Sequence, residues 1–257
     1  MRRELLPAVH GFDPRASFGE DVAETYDDTL RGDEAETVAC LRRLAGHGPA
    51  LELAIGTGRI GLPLAATGTP VDGIEQSAAM IQRLRAKPGG EALTVVQGDM
   101  ADVPVSGTYR LIYVIFNSIY NLLTQNDQVR CFAGVARHLE EDGVFLLEAA
   151  LPGPGEAAPG PQYRLQDQYV AAEQVDADRV VLDVGRYDPV TQLLDRSRLI
   201  ITPGGVHLSP ISLRFAWPSE LDLMARLAGL RLQSRWGGWN GEPFTATSRR
   251  HISVYGQ

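Results

Sequence analysis

The sequence predicts a doubly wound α/β fold that carries an antiparallel β insertion. Over residues 50–150, nearly continuous apolar strands alternate with helical segments, as expected where helices cover both faces of a parallel sheet. A glycine-rich turn follows the first strand, in LELAIGTGRIG. After Leu151 a stretch rich in proline and glycine, PGPGEAAPGPQ, can continue neither a helix nor a strand. These observations place an insertion behind an α/β core.

The core elements follow from local patterns. Apolar residues at helical spacing predict two helices ahead of the first strand, over residues 19–30 and 34–46, with Gly46 ending the second. The strands of the core are predicted at residues 50–55, 70–74, 93–97, 110–115 and 143–150, and its helices at 58–67, 77–87 and 125–139. This order is typical of a Rossmann-like sheet.

The insertion is predicted to be a meander, because apolar and polar residues alternate and the turns YDPVTQ and TPGGV break the pattern. Its strands are expected at residues 165–171, 178–187, 192–201 and 206–217. Pro218 then begins a last helix that ends near Gly229. RLQSRW and RRHISVYG are predicted as the two last strands, which bring the strands of the core to seven. The expected division is a core at 1–150, the insertion at 151–217 and the rest of the core at 218–257.

Composition argues against several partners. The 257 residues include 24 Lys and Arg against 32 Asp and Glu, a net charge of −8, and no basic run is available for a phosphate backbone. No apolar stretch is long enough for a membrane span, so we expect a cytoplasmic protein. Cys40 and Cys131 lack metal-ligand spacing. The sequence therefore predicts no nucleic acid, no membrane and no metal.

The glycine turn predicts a nucleoside site. Gly56, Gly58 and Gly61 form G-x-G-x-x-G, a pattern that alone also fits an ordinary tight turn. Here it follows a strand and opens a helix, and the next strand ends at Glu75, which can accept hydrogen bonds from ribose hydroxyls. Glu52 adds negative charge where a pyrophosphate would need the helix N-terminus. A cationic sulfonium nucleoside is therefore favoured over a dinucleotide.

The chain resembles the class I S-adenosylmethionine-dependent methyltransferases in three motifs: ELAIGTG, Glu75 in VDGIEQS and Asp99 in VVQGDMAD. The resemblance includes the last two strands, which in that family form an antiparallel hairpin at the edge of the sheet. The resemblance covers roughly residues 20–150 and 218–256 and implies the cofactor S-adenosyl-L-methionine. It implies that Asp99 binds the adenine amino group and that an aromatic residue, Tyr26, covers the cofactor. The full set of expected cofactor-binding residues is Tyr26, Glu52, Ala54, Gly56, Thr57, Gly58, Arg59, Glu75, Gln76, Met80, Asp99, Met100, Phe116, Asn117 and Ser118.

The resemblance implies a small-molecule acceptor, because insertions after the fifth strand are typical of family members that act on small molecules, and the segment FNSIYNLLTQND after the fourth strand argues against nucleic acid and glutamine. Family members that methylate base amines or glutamine carry an Asn/Asp-Pro-Pro-aromatic segment here, and this chain does not. The resemblance favours N-methylation in secondary metabolism and leaves O- and C-methylation open. It also leaves open whether the insertion is a lid or an interface, as in a homodimer.

The catalytic residue is not predicted. His10, His207 and His251 lie in segments that could approach the cleft, and Tyr120 is a further weak candidate for a base. A nicotinamide-dependent oxidoreductase and a non-catalytic S-adenosylmethionine-binding module are the alternative functions at this point.

Overall fold

A computed structural model describes residues 17–28, 31–152 and 164–257 of the chain. Its helices are α1 Glu20–Thr25, α2 Glu34–Ala45, α3 Gly61–Ala66, α4 Ala78–Arg85, α5 Gln125–His138 and α6 Pro218–Leu227. Its strands are β1 Ala50–Leu53, β2 Val71–Glu75, β3 Thr94–Gln97, β4 Tyr109–Val114, β5 Leu139–Ala150, β6 Tyr169–Val175, β7 Val180–Asp188, β8 Leu193–Thr202, β9 Gly205–Arg214, β10 Arg231–Trp236 and β11 Arg250–Gly256.

Seven strands form the main sheet in the order β10-β11-β5-β4-β1-β2-β3. Strands β1 to β5 run parallel to one another, whereas β11 is antiparallel to both β5 and β10. The chain leaves β1 toward β2 and β3, then crosses back to β4 on the other side of β1. Such a reversal opens a crevice at the carboxyl ends of the strands. The predicted fold class is confirmed.

The second sheet is a four-stranded antiparallel meander, β6-β7-β8-β9. Tyr169, Leu194 and Leu213 on one face of this sheet are buried in the same hydrophobic cluster as Tyr120 and Phe215. We call this the inner face. Because these side chains join the core of the main sheet, the inner face is held against it.

Two apolar clusters cover the faces of the main sheet. On the side of α5, Phe132 packs against Phe145 with ring centroids 5.2 Å apart. On the other side, Leu41 of α2 and Leu64 of α3 are fully buried with Trp239. These clusters account for the apolar strands from which the sheet was predicted.

Several predicted boundaries shift for local reasons. The third helix begins at Gly61 and not at residue 58, because Gly56 and Gly58 adopt positive φ angles of 58° and 76° that a helix does not allow. The first helix, predicted over residues 19–30, spans only Glu20–Thr25. The first strand of the second sheet begins at Tyr169, four residues later than predicted.

Within the part of the chain that the structure describes, no helix is long and apolar enough to cross a membrane. No group of three or more His, Cys, Asp or Glu side chains in the described ranges could hold a metal ion. Cys40 and Cys131 are buried free thiols.

Candidate functional site

A cavity of about 700 Å³ opens at the carboxyl ends of β1, β2 and β4, where the strand order reverses. Its volume lies within the range of small-molecule sites, about 300–1,000 Å³. Most of the predicted cofactor-binding residues line it, namely Tyr26, Ala54, Gly56, Glu75, Gln76, Met80, Asp99, Met100, Phe116, Asn117 and Ser118. The others, Glu52, Thr57, Gly58 and Arg59, are not among the lining residues. The inner face of the second sheet forms a further wall.

At each glycine of the turn, the absence of a side chain has its own structural reason. Gly56 has a φ of 58°, and a Cβ there would find only the Ala54 carbonyl oxygen, 4.0 Å away, so the missing side chain leaves the cavity open. A Cβ at Gly58 would lie 2.9 Å from the Leu62 side chain. A Cβ at Gly61 would lie 2.7 Å from the Glu52 carboxyl. The turn therefore combines an open position beside the cavity with two close packing contacts.

Glu75 holds the turn and faces the cavity. One carboxylate oxygen accepts from the Gly56 amide and the other from the Ser77 amide, each at 2.8 Å. Burial raises the pKa of Glu75, and the backbone amides of Ser77, Gly56 and Gln76 oppose that rise. Since an ionised carboxylate can accept about four hydrogen bonds, these backbone donors still leave capacity for a ligand hydroxyl.

Glu52 lies beneath the turn and not in the cavity lining. Its carboxyl accepts from the Tyr113 hydroxyl at 3.0 Å and from the Gly61 amide. Burial raises the pKa of Glu52 to about 8, so the side chain is mostly a neutral acid at pH 7. The negative charge that the sequence led us to expect at Glu52, beside a cationic nucleoside, does not match this environment. The geometry gives Glu52 the task of supporting the start of α3.

The N-terminal helix is fastened onto the turn by polar contacts. Asp27 accepts from the Thr57 hydroxyl at 2.8 Å and pairs with the Lys87 ammonium at 2.6 Å. The Lys87 ammonium also donates to the Thr57 carbonyl at 2.7 Å. Arg59 donates to the Tyr26 carbonyl, and its guanidinium lies 4.6 Å from the centre of the Tyr26 ring. These contacts hold Tyr26 at the mouth of the cavity.

The wall after β4 is held by a buried carboxylate that the sequence analysis missed. Phe116 and Asn117 both have positive φ, 56° and 66°, an uncommon conformation for such residues. Glu148, 2% exposed, accepts from the Phe116 amide at 2.8 Å and pairs with Arg31 at 2.7 Å. The Arg31 guanidinium in turn lies 4.2 Å from the centre of the Phe116 ring. The signal in the sequence that could have found Glu148 is a single charged residue within the apolar strand VFLLEAA.

The opposite wall comes from the second sheet and from the segment that leads into α5. Ile211 and Leu213 of β9 line it together with Leu122 and Leu123. Arg196 of β8 lies on the same wall and is paired with Asp183, 3.0 Å away. Strand alternation places Arg196 on the face of Leu194, and this pattern was the signal that could have found it.

None of the weak catalytic candidates in the described ranges lines the cavity. The Tyr120 hydroxyl lies 3.0 Å from the Ala150 carbonyl oxygen and 3.3 Å from that of Ala216. His251 is fully buried, and burial lowers its pKa to about 3, so it is neutral. His207 is exposed on β9, and His10 lies outside the described residues. The structure therefore does not bring Tyr120, His207 or His251 to the site.

Comparison with known proteins identifies the family. A family model described as a methyltransferase domain matches residues 50–143. The structure of the CcbJ methyltransferase from Streptomyces caelestis is 32% identical, with a TM-score of 0.84, and the match covers 95% of this chain and 99% of that one. The chain belongs to the class I S-adenosylmethionine-dependent methyltransferases.

Two further relatives extend this result. The cypemycin N-terminal methyltransferase from Streptomyces sp is 28% identical over 249 residues, 92% of this methyltransferase and 96% of the relative. A structure of a methyltransferase from Clostridium acetobutylicum ATCC 824 has a TM-score of 0.71 at 14% identity, covering 92% and 97% of the two chains. That second likeness supports the fold alone.

Membership of this family makes S-adenosyl-L-methionine the cofactor and sets aside a nicotinamide-dependent oxidoreductase and a non-catalytic module. The residues of the cavity fit such a nucleoside. Gly56 leaves space beside the turn, and the Glu75 carboxylate retains acceptor positions toward that space. The methyltransferase thus has a site of suitable volume, with acceptors for ribose hydroxyls.

Proposed function

We propose that this methyltransferase transfers the methyl group of S-adenosylmethionine to an amine of a small-molecule acceptor in secondary metabolism. The observation that carries the proposal is that one continuous cavity runs from the glycine turn to the inner face of the second sheet. A relative that is named as an N-terminal methyltransferase and matches most of the chain supports an amine as the acceptor group. The absence of an Asn/Asp-Pro-Pro-aromatic segment after β4 supports a small-molecule acceptor.

We assign the part of the cavity lined by Glu75, Asp99, Tyr26 and Phe116 to S-adenosylmethionine, because its acidic side chains can accept hydrogen bonds from the nucleoside, and we call it the donor half. Glu75 would accept a hydrogen bond from the ribose hydroxyls with the acceptor capacity that its backbone bonds leave free. Asp99, one of whose oxygens already accepts from the Ala101 amide at 2.8 Å, would bind the adenine amino group with the other. The rings of Tyr26 and Phe116 also line the cavity and would flank the cationic sulfur.

The second sheet is proposed as the wall of the acceptor half, within an insertion that spans residues 151–217. S-adenosylmethionine supplies an activated methyl group, so the protein must hold donor and acceptor in line and exclude water. Orientation of this kind is worth up to about 7–11 kcal/mol in well-aligned reactions. Ile211 and Leu213 provide apolar surface for that task, and Ser118 and Asn121 provide polar contacts at the edge.

The test supplies trideuteromethyl-labelled S-adenosylmethionine with matched amines and alcohols of the same carbon skeleton, and mass spectrometry follows the label. We expect label in the amines and little in the alcohols. Glu75→Ala is the binding-deficient control, and it should lose both labelling and affinity for S-adenosylhomocysteine. Label confined to alcohols or to carbon would overturn the proposal of N-methylation, and binding of S-adenosylhomocysteine without any labelling would overturn a small-molecule amine acceptor.

A further inference from the structure

Arg196 occupies a defined place in the acceptor half of the cavity. On β8 it pairs with Gly185 of β7 and Ile211 of β9, so the three share one face of the second sheet. Arg196 and Ile211 both line the cavity, and the Arg196 side chain is only 10% exposed. Among the described residues that line the cavity, Arg196 carries the one positive charge. A buried guanidinium at this position is a candidate for contact with the acceptor.

Gly185 lets an aromatic ring approach Arg196. A Cβ at Gly185 would lie 2.7 Å from the hydroxyl oxygen of Tyr169 and 2.8 Å from its ring, so only glycine leaves room for this side chain. Tyr169 pairs with Gly185 from the other side, on β6. Burial raises the pKa of Tyr169 to about 12, so the phenol beside Arg196 stays neutral. The packing therefore restricts the arginine to its position over the cavity.

The charge of Arg196 is already balanced. One oxygen of Asp183, a residue 3% exposed, lies 3.1 Å from Nε and 3.0 Å from Nη2 of the guanidinium. A Glu173 oxygen lies 4.0 Å from Nη2. Because Asp183 already neutralises this guanidinium, an acceptor carboxylate would add an unbalanced negative charge, whereas a neutral oxygen would need only a hydrogen-bond donor. A guanidinium has five N–H donors, and Asp183 leaves others available.

The rest of this wall disfavours an anion as well. Leu122, Leu123, Ile211 and Leu213 are apolar and offer no hydrogen-bond donors from their side chains. Asp127 at the start of α5 adds a carboxylate to the lining. It is held by the Thr124 hydroxyl at 2.6 Å and by Arg130 at 2.9 Å. An acceptor with an apolar flank and a neutral oxygen therefore matches this wall.

We propose that Arg196, fixed by Asp183, donates hydrogen bonds to a neutral oxygen of the acceptor, so that the acceptor is an amine bearing an amide carbonyl or a sugar hydroxyl and not a free carboxylate. This inference rests on the proposed N-methylation. Amide carbonyls and sugar hydroxyls share the required chemistry, since both accept a hydrogen bond without adding charge. Arg196 is then a specificity-determining residue of the acceptor half.

The experiment compares four amines as methyl acceptors: alaninamide, alanine, glucosamine and propylamine. Rates are expressed per fraction of neutral amine, because the amine pKa differs among them. We expect kcat/KM for alaninamide or glucosamine to exceed that for alanine and for propylamine by at least about tenfold, and which of the two is favoured distinguishes the amide from the sugar. Arg196→Gln should remove most of this preference, chiefly through KM, while Arg196→Lys should retain part of it.

Arg198→Gln is the matched control, because Arg198 lies on the same strand, is half exposed and pairs with Glu173 at 2.7 Å without lining the cavity. The double variant Arg196→Gln with Asp183→Asn removes both charges and guards against loss of folding, and binding of S-adenosylhomocysteine reports an intact donor site. Equal use of alanine and alaninamide, a preference for alanine, or unchanged selectivity in Arg196→Gln would each overturn the inference. Methylation of none of the amines by a protein that binds S-adenosylhomocysteine would instead overturn the proposed function, and this inference with it.

Discussion

The Glu75→Gln variant probes the donor half of the cavity most sharply. The Glu75 carboxylate, 8% exposed, accepts from the Gly56 and Ser77 amides at 2.8 Å and keeps acceptor capacity for a ribose hydroxyl. Glutamine keeps one carbonyl oxygen, but its NH₂ group would face a backbone N–H donor. The hydrogen bond that a ribose hydroxyl donates to the charged carboxylate is then lost, which should weaken binding by about 1.5–3 kcal/mol. The dissociation constant for S-adenosylhomocysteine should therefore rise roughly 10- to 150-fold.

Isothermal titration calorimetry measures this change, with Asp72→Asn as the matched control. Asp72 is on the same strand, accepts from the Tyr109 hydroxyl at 2.9 Å and does not line the cavity. We expect the control to bind S-adenosylhomocysteine within about twofold of the unaltered protein, less than 0.5 kcal/mol. If Glu75→Gln also stayed within that range while remaining folded, Glu75 would not contact the nucleoside and the assignment of the donor half would be refuted.

Three further changes test the supports of the cavity. Glu148→Gln leaves Arg31 and Arg250 without their shared carboxylate. It should lower the free energy of unfolding by about 3 kcal/mol, which calorimetry would record as a fall in Tm of roughly 6–12 °C. An unchanged Tm would contradict the role of this network. Burial raises the pKa of Glu52 to about 8 from an ordinary 4.5, so the folded state holds a proton that the unfolded state releases, and stability should fall as pH rises between these values. The free energy of unfolding then changes by at most about 1.4 kcal/mol per pH unit, and denaturant titrations at several pH values measure this slope. Glu52→Gln should remove the slope, and a slope equal to that of the unaltered protein would refute the buried acid. Lys87→Ala removes a half-exposed partner of Asp27 and should weaken S-adenosylhomocysteine binding by about two- to fivefold, whereas unaltered affinity would show that this ion pair is not needed to hold Tyr26 at the cavity.

The sequence predicts much of this fold because the decisive signals are local. The apolar strands and the glycine turn give the order of elements, and Gly46 and Pro218 bound their helices where expected. The start of α3 shifts because the positive φ values of Gly56 and Gly58 delay the helix, which a G-x-G-x-x-G pattern does not reveal by itself.

The supports of the site were harder to predict, because they join residues far apart in sequence. Glu148 is 117 residues from Arg31, and no local pattern indicates that they meet behind Phe116. Glu52 was expected to face the ligand as an anion, since sequence spacing cannot show that Tyr113 and the start of α3 enclose its carboxyl. Arg196 was missed because its role depends on how the second sheet packs against the core.

A crystal structure of the protein with S-adenosylhomocysteine bound tests the central claim most directly. We expect the nucleoside in the cavity, with its ribose hydroxyls on Glu75 and its sulfur directed toward the wall that Arg196 and Ile211 form. A nucleoside bound outside the glycine turn, or a sulfur directed away from the second sheet, would contradict this central claim.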